Sequence, residues 1–163
     1  AREKEKKHLE NLSYVDSLTY AQNRNHFNEY IEKNRRKELH SVGVIYLDLN
    51  GLKEINDKMG HLAGDTLIIS ASYVLQEIFA DNSYRIGGDE FVVIEQDVLE
   101  SEFMSKYNKL LVRMKELEIS VATGYIWKER CLNLSEILQA ADQKMYEDKK
   151  RYYSIAQNDR RRR

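Results

Sequence analysis

The stretch that decides the fold is Tyr84-Arg85-Ile86-Gly87-Gly88-Asp89-Glu90-Phe91-Val92-Val93-Ile94, YRIGGDEFVVI. Phe91 to Ile94 are aromatic and β-branched, side chains that pack well on a pleated, half-buried surface. Paired glycines between two such runs signal a two-residue hairpin turn. The stretch is therefore expected to form two arms of an antiparallel sheet. Two carboxylates, Asp89 and Glu90, stand where the second strand begins. Side by side they repel, and burial would demand partners. Left in solvent they cost little, so the pair reads either as a solvated turn or as a site.

Outward from the hairpin, residues 41–49 (SVGVIYLDL) are mostly apolar and read as a strand buried on both faces, with Asp48 at its end. Residues 50–65 (NGLKEINDKMGHLAGD) predict a short helical turn between two glycine-containing loops, with Asp65 placed to cap the next helix. In that helix Leu67, Ile68, Ala71, Val74, Leu75 and Ile78 recur at i, i+3 and i+4 spacing. Phe103, Tyr107, Leu110, Leu111, Met114 and Leu117 mark a further helix, residues 119–127 (ISVATGYIW) a strand, and Leu134, Ile137, Leu138, Ala141 and Met145 a last helix. Upstream, Phe27, Tyr30 and Ile31 fall at helical spacing within residues 22–36, and Asp16 reads as an N-cap or turn residue. Residues 1–14 are charged, with Leu9 and Leu12 as sparse apolar points, and read as a linker helix leading in from outside. After that helix the order is αβααββαβα, an α+β domain with helices packed on a largely antiparallel sheet.

The chain of 163 residues is long enough for one domain with a real core, expected at residues 15–156. A net charge of -1 gives no global drive towards nucleic acid or an anionic membrane, so neither is expected as a partner. The single cysteine, Cys131, allows no internal disulfide and reads as a small semi-buried hydrophobe in a reducing compartment. No apolar run reaches membrane-spanning length and no signal-peptide pattern opens the chain. The expected location is cytoplasmic, alone or as the cytoplasmic part of a longer membrane-anchored sensor. Residues 157–163, ending NDRRRR, read as a solvated basic tail.

A second acid changes the reading of the hairpin. If the 41–49 strand lies beside it, Asp48 and Asp89 converge at one edge of the sheet. Two carboxylates so placed suit Mg²⁺, which takes one or two of them and fills its other positions with water and substrate phosphate. Two such metals, about 3.5–4 Å apart, can stabilise the attacking and leaving oxygens of a phosphoryl displacement. Gly87 and Gly88 would then leave room for a nucleotide at the backbone. The loop after Asp48 offers N–H groups at a helix start and the charge of Lys53, both favourable to phosphate. Asn56 and Asp65 carry an amide and a carboxylate that together can read a guanine edge. Each also has a local reading, Asn56 as a turn former and Asp65 as a helix cap.

Five ordered blocks resemble one family. RIGGDEF and LDLNGLKEINDKMGHLAGDTLI are similar to the GGDEF domain of diguanylate cyclases, DSLTYAQNR resembles that family's D-x-L-T-G-L-x-N-R opening, and VATGY and AADQKMYEDKK resemble its last strand and helix. The resemblance spans about residues 16–149. It implies a palm-like, nucleotidyl cyclase-like fold with a central, mostly antiparallel sheet flanked by helices. It also implies condensation of two GTP into cyclic di-GMP and two pyrophosphates, across a homodimer of facing domains that an upstream sensor or receiver domain brings together. By position, Asp48, Asp89 and the carbonyl of Leu49 match metal ligands, with Mg²⁺ or Mn²⁺ at two ions per site. Glu90 matches the second signature acid, as ligand or as helper at the 3′-hydroxyl. Asn56 and Asp65 match the guanine readers, and Gly51, Leu52 and Lys53 the phosphate loop. Gly87 and Gly88 match the substrate floor, and Lys149 a lysine reaching the terminal phosphates.

The chain departs from the pattern in four places. Tyr20-Ala21 replaces Gly-Leu in the opening motif, and Asn50 stands where many members have a second Asp. Tyr152 and Tyr153 take the Gly and Arg of a K-x-x-G-R-N ending, with Arg151 as a conceivable stand-in for that arginine. Ile78 takes the Arg of an R-x-x-D inhibitory motif whose Asp is Asp81, so no tight product feedback is expected there. The alternative to an active cyclase is a weak or inactive GGDEF domain acting as a GTP-binding regulatory module.

Overall fold

In the computed structural model, which describes residues 1–162 and the side chains of 1–9 and 13–159, the fold is built around one long strand. The elements run α1 (Arg2–Tyr14), β1 (Gln22–Asn23), α2 (Arg24–Asn34), β2 (Leu39–Leu49), α3 (Leu52–Met59), α4 (His61–Phe79), a 3-10 turn (Ala80–Asn82), β3 (Ser83–Arg85), β4 (Glu90–Glu95), α5 (Glu100–Glu116), β5 (Val121–Cys131) and α6 (Leu134–Arg162). The strands lie in the order β1-β3-β4-β2-β5. β1 is parallel to β3, and all other neighbours are antiparallel. The long strand is β2, buried at every residue from Val42 to Leu49 because helices cover both faces.

Side chains alternate across a strand, so each face of β2 draws its own helices. Ile45, Leu47 and Leu49 face Ile68, Ala71 and Leu75 of α4 and Phe103, Leu110 and Met114 of α5. Val42, Val44 and Tyr46 face Phe27 of α2 and Leu134, Ile137, Leu138, Ala141 and Met145 of α6. These are the apolar stripes that the sequence pattern picks out. Cys131 is buried, more deeply than expected.

Several boundaries differ from the expected ones. The glycines of the hairpin do not form a two-residue loop. Ile86 donates its N–H to Glu90 at 3.0 Å, so Gly87, Gly88 and Asp89 all lie in the turn. Neither Gly87 nor Gly88 has a positive φ, so the turn itself does not demand glycine. α4 does not start at Asp65. The chain reverses at Gly60, whose φ of 89° favours glycine, and the helix begins at His61. Asp65 is therefore inside α4 rather than its cap, and Asn56 is inside α3 rather than a turn former. The expected tail from residue 157 continues α6 to Arg162. The chain has no proline, and no glycine after Gly124, to stop that helix. Leu12 and the basic side chains from residue 160 on lie outside the described residues. Among the described residues no helix is long and apolar enough to cross a membrane.

Candidate active site

Asp48 is the point on which the site is built. It pairs with Glu90 of β4 on one side and Ala122 of β5 on the other. Its carboxylate lies on the same face as Val44 and Tyr46, at the end where that face meets solvent, yet it is only 4% exposed. Oδ2 accepts from Lys149 Nζ of α6 at 3.0 Å. Oδ1 is buried without a hydrogen-bond partner. The neighbouring Leu49 N–H donates to the Asp89 carbonyl at 2.9 Å, which fixes the signature turn against the end of β2. Asp48, Asp89, Glu90 and Lys149, far apart in the chain, thus meet at one edge of the sheet.

The electrostatics are those of crowded carboxylates. Burial raises the pKa of Asp48, Lys149 opposes this by hydrogen bond and charge, and Asp89 adds to the rise. Burial also raises Glu90, with Asp142, Asp48 and Asp89 pushing the same way and Lys149 against. For Lys149, burial works against the charged form, but Asp48 and Asp89 outweigh it and raise the pKa. Asp142 of α6 was not singled out in the sequence, although the AADQKMYEDKK block contains it. Its own pKa is raised by burial.

Among the described residues no three His, Cys, Asp or Glu side chains cluster into a metal cage. The site nevertheless fits a hard cation completed by substrate. Mg²⁺ needs only one or two protein carboxylates, and the unpartnered Asp48 Oδ1 is an anionic oxygen in want of a cation.

The second half of the site lies on α3 and α4. Gly51 precedes α3 with φ 71°, a left-handed conformation that suits glycine. Leu52 and Lys53 open the helix, and Lys53 is exposed. Asn56 packs its carboxamide onto Gly64 of α4, where a Cβ would stand 1.8 Å from Asn56 Oδ1. That oxygen is buried and has no partner. Asp65 follows Gly64, so the amide and carboxylate expected to read a base are brought to one helix corner. Gly88 leaves its side of the turn open, since a Cβ there would meet nothing within 4 Å, whereas one on Gly87 would touch Glu90 at 3.5 Å.

The comparisons agree with this geometry. The family model for the diguanylate cyclase GGDEF domain matches residues 13–153. The chain is a GGDEF domain. It is 34% identical over 94% of its length to the signaling protein YkoW of Bacillus subtilis, and it spans 22% of that protein. It is 30% identical over 86% of its length to the probable diguanylate cyclase DgcI of Escherichia coli, spanning 32% of it. It is also 30% identical over 83% of its length to the cyclic di-GMP phosphodiesterase PdeR of Escherichia coli, spanning 22% of it. The coiled coil and GGDEF domain of DgcB from Caulobacter crescentus, solved in complex with c-di-GMP, shares the fold with a TM-score of 0.74 at 21% identity, over 91% of this chain and 88% of that one.

In this GGDEF domain the signature turn is held from behind by residues that sequence reasoning did not single out. Arg85 donates to both oxygens of Asp16, at 3.1 and 2.9 Å, and to the Gly88 carbonyl at 2.9 Å. Arg24 donates to the Ile86 carbonyl at 3.0 Å. Asp16 also accepts from the Thr19 N–H and hydroxyl, so it is a turn residue. Burial works against its charge, but the bonds from Thr19 and Arg85 outweigh it and lower the pKa. Tyr20, where the family pattern has glycine, sits at φ 59° with its ring exposed. Asn50 is buried and donates to Ser120 Oγ at 3.2 Å. Asp81 is exposed in the 3-10 turn, and Ile78 lies near the end of α4.

Proposed function

We propose that this GGDEF domain condenses two GTP molecules into cyclic di-GMP with release of two pyrophosphates. The observation that carries the proposal is the meeting of Asp48, Asp89, Glu90 and Lys149 at one sheet edge, with Asp48 Oδ1 buried and unpartnered. Asp48, Asp89, Glu90 and the carbonyl of Leu49 are the groups that would hold Mg²⁺ or Mn²⁺, two ions per site. When bound, the metal neutralises charge on the attacking and leaving oxygens of the phosphoryl displacement.

The remaining roles belong to the chain. Gly51, Leu52 and Lys53 bind the phosphates through backbone N–H groups and one positive charge. Asn56 and Asp65 read guanine, the carboxylate accepting from its N1 and N2 donors. Adenine lacks that pattern and would leave the carboxylate unpaired, so the site selects GTP. Gly87 and Gly88 let the nucleotide approach the turn. The 3′-oxygen of each GTP forms a bond to the α-phosphorus of the other, and at each phosphorus the bond to the bridging oxygen of pyrophosphate breaks, so two bonds close the ring and two pyrophosphates leave. Glu90, beside Asp48 at the start of β4, is the group placed to take the 3′-hydroxyl proton. Lys149 leaves Asp48 for the terminal phosphates as substrate enters. Each domain holds one GTP, so two domains must face each other, and dimerisation through upstream segments raises their effective concentration.

The test is product analysis of the chain, alone and fused to a dimerising leucine zipper, with GTP and Mg²⁺. Cyclic di-GMP that disappears on Asp89→Ala is the expected result. The second reading is a regulatory module that binds GTP without turnover, favoured by the phosphodiesterase name of a relative as similar as the cyclase-named one. GTP binding by the zipper fusion without product would decide for it.

A further inference from the structure

α6 reaches the loop between β2 and α3 at two points. Lys149 bonds Asp48 at the end of β2. Tyr152, three residues on and so on the same side of the helix, reaches Gly51. A Cβ built on Gly51 would lie 3.6 Å from the Tyr152 hydroxyl, and no other heavy atom outside the neighbouring residues comes within 4 Å of it. The tyrosine is half-buried, its ring meets Tyr153 edge-on at 5.3 Å, and its hydroxyl makes no hydrogen bond among the described residues. It borders a cavity of about 230 Å³ together with Asn50, Gly51, Ile55, Lys58 and Ser120.

Gly51 is where this contact matters. Its left-handed φ of 71° turns the chain from β2 into the first turn of α3, and so aims the N–H groups of Leu52 and Lys53. Glycine is the residue most free to leave such a conformation. The Tyr152 hydroxyl, standing over its open side, narrows that freedom without adding a Cβ. Asn56 and Asp65 lie farther along α3 and on α4, and neither lines the cavity that Tyr152 borders. We infer that Tyr152 is a positioning residue for the phosphate end of the nucleotide site: by holding its hydroxyl over Gly51 it limits the backbone that receives the triphosphate, and it leaves base recognition alone. This rests on the reading of the site as a GTP site.

Calorimetric titration of the chain with GTP and with GMP, both with Mg²⁺, tests it in wild type, Tyr152→Phe and Tyr152→Ala. Tyr152→Ala is expected to weaken GTP about tenfold and to leave GMP within twofold, with Tyr152→Phe between wild type and Ala for GTP. Equal losses for GTP and GMP would mean a merely structural role and overturn the inference. So would unchanged or tighter GTP binding in Tyr152→Ala. A wild-type chain that binds neither nucleotide would overturn the GTP-site reading and this inference with it. A wild type that binds GTP beside an unaffected Tyr152→Ala overturns this inference alone.

Discussion

The two faces of β2 end differently. Towards α4 and α5 the strand is apolar to its last residue, through Ile45, Leu47 and Leu49. Towards α2 and α6 the same strand runs Val42, Val44, Tyr46 and then Asp48. One face completes a core, and the other stops one residue pair short and puts a carboxylate where the next apolar side chain would go. The chemistry is thus placed by a break in a packing pattern at a strand end, with a helix on the same face, α6, bringing Lys149 and Asp142 to the break. Both faces carry core, but only the α2–α6 face ends in charged side chains.

Each face has a glycine at its closest approach, and these break the comparison most sharply. Gly124 of β5 lies under α6, and a Cβ there would stand 2.3 Å from the Ala141 carbonyl oxygen and 2.3 Å from the Met145 nitrogen. Helix backbone cannot move aside alone, so Gly124→Ala must lift α6. We expect a loss at the upper end of the roughly 1–3 kcal/mol typical of overpacking, or beyond it. Gly43 of β2 faces α5, and a Cβ there would meet the Phe103 ring at 2.3 Å. Here the obstacle is a side chain, so Gly43→Ala should cost less and should be partly restored by Phe103→Leu. Urea melts of the three variants check this. No change of a single side chain on α6 should restore Gly124→Ala, because the contact is with backbone. Failure of Phe103→Leu to help Gly43→Ala would mean that the α5 face is as rigid as the α6 face.

The same division explains what the sequence could be read for. Apolar periodicity is local, and it located β2, β4, β5 and the helices to within a few residues, except the end of α6, which runs on to Arg162 beyond its last apolar mark. The two-residue β1 has no periodicity to read, and it exists only because its neighbour β3 pairs with it. The approach of Asp48 to Asp89 was legible from the strand ends, but Lys149 was legible only through the ordered family blocks, since residues 101 apart meet in the Lys149–Asp48 pair. Arg85 lies inside the quoted signature, but its partner Asp16 is 69 residues away, and nothing local marks the pair. Asp65 misled for a physical reason: an acid before an apolar stripe looks like a cap, whereas Gly60 starts the helix earlier. Tyr20 stood out as a residue in a glycine position, and its left-handed φ accounts for the glycine in the family pattern.

The smallest expected effect sharpens the comparison with pH. Burial and the negative charges of Asp142, Asp48 and Asp89 raise the folded-state pKa of Glu90 above its ordinary 4.5. Between the ordinary and the raised value the folded state holds more protons than the unfolded one. Stability therefore falls as pH rises through that window, and the full cost is present above it. Glu90→Gln keeps the shape and removes the charge. In metal-free buffer near neutral pH it should gain on the order of 0.5 kcal/mol, screening by solvent keeping the figure small, or roughly 1–2 °C in Tm. The gain should shrink as pH is lowered towards the ordinary carboxylate value, because the folded wild-type Glu90 then takes up its proton and no longer buries a charge. Gly43→Ala lies on the other face, opposite Glu95, which pairs with Lys106 of α5 at 3.0 Å, and away from the Asp48–Glu90 cluster, so its deficit should not follow the Glu90→Gln trend over the same range. Thermal melts of both variants between pH 8 and pH 4.5 separate the faces. A Glu90→Gln gain that does not change with pH would mean that its source is packing rather than charge. A loss at neutral pH would mean that the Glu90 carboxylate holds the turn in place, and the charged end of β2 would then belong to the core as well as to the site.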